Sequence, residues 1–156
     1  MSCTAPEDYW LGGRDDPDEF CIPPDALTQD PLSFTNNWVY KLINVDKVWP
    51  DYTGEGVTIR INDLGVDPNN EDFTGRFDEE NSCANFGPLE YEDGSRDSHG
   101  TRVAGVIVAN ANNNFCAAGI AYGATFTSCN VVGLSYQNFN EKIESIDISQ
   151  NSIQVE

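Results

Sequence analysis

Apolar and polar positions alternate through Val57-Thr58-Ile59-Arg60-Ile61-Asn62, the two-residue period of a strand. The run is entered from the turn-forming Tyr52-Thr-Gly-Glu-Gly56 and left at Asp63-Leu64-Gly65. From His99 to Ala111 the pattern predicts a helix, in which Ala104, Gly105 and Ala109 allow close packing. Ala124–Val132 predicts a second strand, a second helix follows near Asn138–Ile148, and a third strand starts at Ile153. Strand, helix, strand, helix, strand implies an α/β fold with a parallel sheet and crossover helices. In such sheets, sites form beyond the carboxyl ends of the strands, which is where Asp63 falls.

Charge divides the chain. Its 156 residues hold 26 Asp and Glu against 8 Lys and Arg, a formal charge of −18. Residues 1–30 carry eight acids and one base, and residues 1–29 read as an extended acidic N-terminal arm. Residues 43–97 carry 14 more acids, whereas residues 98–140 carry Arg102 as their one charge and predict the buried part of the fold. Nucleic acid is excluded as a partner, because phosphates reward Lys and Arg and repel carboxylates. The same acidity suits calcium or basic peptide segments. The densest apolar stretch, Val103–Ala109, falls far short of the roughly 18 residues of a membrane span, so no span is expected.

The five cysteines, Cys3, Cys21, Cys83, Cys116 and Cys129, form no Cys-x-x-Cys pair. With a single histidine beside them, they argue against a structural zinc site. Disulfides among them would require an oxidising compartment. For Cys129, in the apolar-rich run Thr125–Val132, a buried reduced thiol is an equal reading. The first seven residues have neither the basic nor the apolar region of a signal peptide.

Two segments carry chemistry. Ile61-Asn-Asp63-Leu-Gly65 puts a carboxylate at a strand end, which alone is the pattern of an ordinary turn. Asp97-Ser-His99-Gly-Thr-Arg-Val-Ala-Gly105 puts the one histidine at a helix start, where capping or packing would also explain it. Together they fit a pair in which a carboxylate bonded to one ring nitrogen fixes the tautomer and steadies the imidazolium that forms. The chain order, Asp before His, is that of the subtilisin triad.

On these residues the chain resembles the subtilisin-like serine proteases. Gly56–Phe73 resembles their catalytic-Asp segment and His99-Gly-Thr-Arg-Val-Ala-Gly105 their catalytic-His segment. Asn112–Ala124 is similar to the furin/kexin branch in particular, and Asp30–Trp38 and Gly54–Val57 match the segments before the Asp. The resemblance runs from residue 30 to about residue 135. It implies a partial peptidase domain over residues 30–156, with a three-layer fold and a mostly parallel sheet, truncated before the half that carries the serine. It implies a serine endopeptidase acting on polypeptides, with Asp63 as the triad aspartate and His99 as the general base.

The resemblance also implies a Ca2+ site. Its ligands would be the side chains of Asp30, Asp72 and Asn113 and the carbonyls of Asn110, Phe115 and Ala117. A hard cation that takes six to eight oxygens suits such a set. Asn112–Asn114 would otherwise simply turn the chain.

The chain departs from the family pattern in several places. No serine follows Gly-Thr, so the Gly-Thr-Ser segment of the nucleophile is absent from these 156 residues. The chain alone is expected to be inactive, and the missing C-terminal half of the catalytic domain becomes an implied partner. The alternative is a catalytically inactive fragment that binds calcium or peptides. Leu64 stands where the branch has a second acid, and Arg96 where it tends to be acidic, so the resemblance does not carry a dibasic preference. Arg60 interrupts a strand that the family fills with apolar or small residues, and Cys116 matches a family cysteine whose partner lies in the missing half. Localisation in or beyond the secretory pathway is implied by the resemblance.

Overall fold

In the computed structural model, which describes residues 40, 42–113, 118–132 and 142–152, the alternating segment forms strand β1, Thr58–Asp63. Helix α1, His99–Val108, follows, then strands β2, Thr125–Asn130, and β3, Ile148–Asn151. The three strands make one parallel sheet in the order β2-β1-β3. The α/β reading therefore holds, and Asp63 is the last residue of the central strand.

The two faces of β1 are unlike because side chains alternate across a strand. Ile59 and Ile61 join Val66, Phe73, Ala104, Val108, Ala124 and Phe126 in one core cluster. Phe126 anchors it, with its ring centroid 5.2 Å from that of Phe73 and 5.3 Å from that of Phe77. Arg60 and Asn62 alternate with these residues and are just as buried, at 1% and 0% exposure. Arg60 reaches the Asn81 carbonyl through Nη2 at 3.1 Å, and burial pulls its pKa below the usual value. That hydrogen bond supplies an oxygen partner for the charge on a strand otherwise expected to be apolar.

The third strand begins at Ile148, five positions before the expected Ile153. The expected helix over Asn138–Ile148 is corrected in its described part, where a 3-10 turn covers Ile143–Ser145 and Ile148 already pairs with Ile59. The physical reason lies in β1. Asn62 Nδ2 donates to Ser149 Oγ at 2.8 Å and to Asn151 Oδ1 at 3.0 Å, so a polar, mostly exposed run is recruited as an edge strand. Hydrophobic periodicity carries no signal for such a strand. The expected helix over 99–111 ends earlier, with Val108 its last residue and Ala109 its cap. The arm expected over residues 1–29, the part of the expected second helix before residue 142 and the segment from Ile153 lie outside the described residues.

The other edge, β2, is sealed by segment 76–86. Phe126 N donates to Arg76 O at 2.9 Å, Asp78 N to Phe126 O at 2.8 Å, Cys83 N to Ser128 O at 3.1 Å and Asn130 N to Asn85 O at 2.8 Å. A Cys83–Cys129 disulfide bolts this segment to the strand. The choice left open for Cys129 thus resolves to a buried disulfide, while Cys3, Cys21 and Cys116 lie outside the described residues. A smaller cluster of Tyr40 and Val45 packs with Trp49 and Ile120. It is tied down by Tyr40 Oη donating to Ala118 O and Trp49 Nε1 donating to Ile120 O, both at 2.8 Å. Burial, reinforced by the nearby charge of Asp72, pushes the Tyr40 pKa up to about 12.

Replacing Cys83 and Cys129 together by serine is expected to cost about 4 kcal/mol, the loop-closure value for residues 46 apart. Urea unfolding of the two proteins measures it. An unchanged midpoint would mean that the backbone bonds of segment 76–86 hold β2 without the bridge.

Candidate active site

Asp63 ends β1 and His99 begins α1, and the fold makes these two ends meet. The Asp63 side chain has no exposed surface, whereas the His99 side chain is 47% exposed. His99 Nδ1 lies 2.8 Å from Asp63 Oδ1 and 3.0 Å from Oδ2. Asp63 Oδ1 also accepts from Leu64 N at 2.7 Å. The carboxylate thus holds one ring nitrogen, and a proton bound there leaves Nε2 with a lone pair. That arrangement can take a proton from a hydroxyl placed beside the ring.

Glycines make the meeting possible. A Cβ on Gly100, the second residue of α1, would lie 2.2 Å from Gly65 O and 3.0 Å from Asp63 Cβ. Gly65 has φ +89°, and a Cβ there would lie 1.8 Å from Gly87 O. Any side chain at either position would push the turn after β1 away from its neighbours. Thr101 Oγ1 adds a tie by accepting from Asp67 N at 3.0 Å.

Segment 82–97 forms the rim of the site. Val66 N donates to Phe86 O at 3.0 Å, Leu89 N to Leu64 O at 2.8 Å and Asp97 N to Leu89 O at 2.8 Å. Asn130, opposite Asp63 in the β1–β2 register, donates from Nδ2 to Gly87 O at 3.2 Å. The Cys83–Cys129 bridge stands at the base of this rim. Asp97 has no role in the sequence reading. In the structure its Oδ1 accepts from His99 N at 2.7 Å and its Oδ2 from Tyr91 Oη at 2.7 Å. The available signal is an Asp two residues before a helix start, a spacing at which side-chain oxygens meet backbone N–H groups. Arg96 forms an exposed ion pair with Glu90 at 2.8 Å, and Leu64 is half-buried.

Of the residues expected at a metal, three are described. Asp72 is buried on the 3-10 turn Glu71–Phe73, and its Oδ1 accepts from Asn113 Nδ2 at 2.7 Å. Asn110 N donates to Asp72 O at 2.8 Å, which brings the loop after α1 onto the same turn. The Asn110 side chain looks elsewhere, accepting from Arg76 Nε at 2.8 Å and donating to Thr74 O at 3.0 Å. Asn112 turns the loop in the left-handed region, at φ 61°. Asp30, Phe115 and Ala117 lie outside the described residues. Among the described residues, no three His, Cys, Asp or Glu side chains converge as a metal cluster, and no helix is long and apolar enough to cross a membrane.

The family model for the subtilases, peptidase family S8, matches residues 54–155. Neuroendocrine convertase 2 of Homo sapiens is 41% identical over 118 residues, and that of Bos taurus 38% over 118 residues. Each alignment covers 64% of this chain and 18% of the relative. Proprotein convertase subtilisin/kexin type 5 of Branchiostoma californiense is 39% identical over 89 residues, covering 53% of this chain and 5% of that protein. The chain therefore spans less than a fifth of the length of these relatives. A solved structure, that of the MycP3 protease from the type VII (ESX-3) secretion system, is 25% identical with a TM-score of 0.45. The match covers 70% of this chain and 27% of that one.

Proposed function

We propose that this chain, which belongs to the subtilase family, supplies the aspartate and histidine of a serine endopeptidase site whose nucleophilic serine comes from further sequence of the same catalytic domain. The observation that carries this reading is the bond between His99 Nδ1 and the buried Asp63 carboxylate, at 2.8 Å. In the proposed reaction, the serine hydroxyl gives its proton to His99 Nε2 as its oxygen bonds to a peptide carbonyl carbon. Asp63 keeps the Nδ1 proton in place and stabilises the imidazolium without itself becoming protonated. His99 then returns the proton to the leaving amine, and the peptide C–N bond breaks.

Polypeptides are the proposed substrates, in keeping with relatives whose names are those of convertases. Two observations support assigning the serine to further sequence. None of the serines in the 156 residues follows Gly-Thr, and the chain spans 18% of the neuroendocrine convertases. On this reading residues 30–156 are part of a peptidase domain, residues 1–29 are an acidic arm preceding it, and the 156-residue chain alone is inactive. A secretory or extracellular location is supported by the Cys83–Cys129 bridge, which requires an oxidising compartment.

Calcium is proposed to bind at Asp72 and Asn113. The residue types suit a hard cation, a buried carboxylate at Asp72 and an amide oxygen at Asn113. Asn113 Nδ2 here donates to Asp72 Oδ1 at 2.7 Å and would turn away for Oδ1 to face the ion. Asp30 and the carbonyls of Asn110, Phe115 and Ala117 complete the proposed ligands. Bound calcium would supply rigidity to the loop after α1, away from the proton transfer.

The polypeptide extended by its downstream coding sequence is expected to cleave peptides and to label with a fluorophosphonate at a serine. His99→Ala should lower its kcat at least about a thousandfold, and the 156-residue chain should not label. Downstream stop codons with no Gly-Thr-Ser segment in any frame would overturn the reading. Calcium at about 1 mM, the range of weak extracellular sites, is expected to raise the Tm of the chain, and Asp72→Asn should abolish the rise. An unchanged Tm would remove calcium from the proposed function.

A further inference from the structure

We infer that Asp97 is a positioning residue for His99, closing a ring of hydrogen bonds that leads from the helix start back to Asp63. The inference rests on the reading of His99 as the general base. Asp63 Oδ1 accepts from Leu64 N at 2.7 Å, and Leu64 O accepts from Leu89 N at 2.8 Å. Leu89 O accepts from Asp97 N at 2.8 Å, and Asp97 Oδ1 accepts from His99 N at 2.7 Å. The ring closes where His99 Nδ1 meets Asp63 Oδ1 at 2.8 Å.

Three features make Asp97 more than an ordinary surface acid. Ser98, at the cap position of α1, makes no side-chain capping bond, so Asp97 provides the carboxylate that holds the first helical N–H. Its second oxygen is occupied by Tyr91 Oη at 2.7 Å, which stops the carboxylate from swinging away. That bond, with the charges of Asp97 and Asp93, raises the Tyr91 pKa above its ordinary value. Tyr91 is in turn set by a tight hairpin. Its N donates to Ser95 O and its O accepts from Gly94 N, both at 2.9 Å, and Glu90 pairs with Arg96 across the two arms.

The consequence is mechanical. Asp63 holds the ring of His99 by one nitrogen, and the rest of that half-exposed side chain depends on where its own backbone sits. Asp97 fixes that backbone from the solvent side while Asp63 fixes the ring from the buried side. Misplacing a catalytic group by about 1 Å is enough to cost on the order of a hundredfold in rate.

The test reads the exchange with solvent of the His99 Nδ1 proton, followed by NMR on the 156-residue chain. Asp97→Ala is expected to speed that exchange about fivefold, the population change that loss of a helix cap produces. Asp97→Asn, whose amide oxygen can still accept from His99 N, should restore the slow rate. Tyr91→Phe should give an intermediate one. Unchanged exchange in Asp97→Ala, or exchange in Asp97→Asn as fast as in Asp97→Ala, would overturn the inference. If Asp97→Ala does not fold, Tyr91→Phe decides: faster exchange supports the role and an unchanged rate overturns it. Absence of a protected Nδ1 proton in the unsubstituted chain would instead defeat the Asp63–His99 pairing, and the inference with it.

Discussion

A carboxylate with no exposed surface must be met by donors, and at Asp63 these are the His99 ring nitrogen and the Leu64 amide. Leaving a buried charge without its partner typically costs about 3–5 kcal/mol, so the end of β1 and the start of α1 are bound to one another by the need to satisfy this group. The surroundings follow from that constraint. Gly100 lets the helix start lie on the turn after β1, and Gly65 lets that turn lie against Gly87. The β1 strand is central in the sheet, so its end is supported by backbone on both sides.

Around this contact the chain places polar groups where a larger apolar core would ordinarily stand. One face of β1 is hydrophobic and packs with α1, while the other carries Arg60 and Asn62, both buried. Each of these polar residues fastens a neighbouring segment: Arg60 takes the Asn81 carbonyl and Asn62 takes two polar side chains of β3. The disulfide works on the opposite edge, joining Cys83 of the rim to Cys129 of β2. The rim that carries Asp97 is therefore anchored at its base by a covalent bond and at its top by the ring of hydrogen bonds to His99.

The elements legible in the sequence are those with an apolar period. The Val57–Asn62 alternation and the apolar-rich Ala124–Val132 run correspond to β1 and β2, and the small-residue pattern after His99 to α1. β3 departs from its expected position because Ser149, Gln150 and Asn151 are polar and are held by bonds to β1 rather than by burial of apolar area. The Cys83–Cys129 pairing is not legible either, since five cysteines with irregular spacing allow many connectivities. Only the fold of segment 76–86 along β2 brings these two together. Asp63 and His99 stand out through their strand-end and helix-start positions plus family resemblance, and their side chains lie within hydrogen-bond distance. Asp97 is harder to find because its partners, Tyr91 and the His99 amide, meet it only once the hairpin is built.

The proton transfer proposed for this site depends on which nitrogen of His99 carries the proton. On the 15N-labelled chain, the ring nitrogens of His99 report it directly through their chemical shifts and the one-bond coupling to hydrogen. With the ring neutral, Nδ1 is expected to bear the proton, held by Asp63, and Nε2 to show the shift of an unprotonated acceptor. A neutral ring with its proton on Nε2 would contradict the proposed role of His99, because Nε2 could then accept no proton.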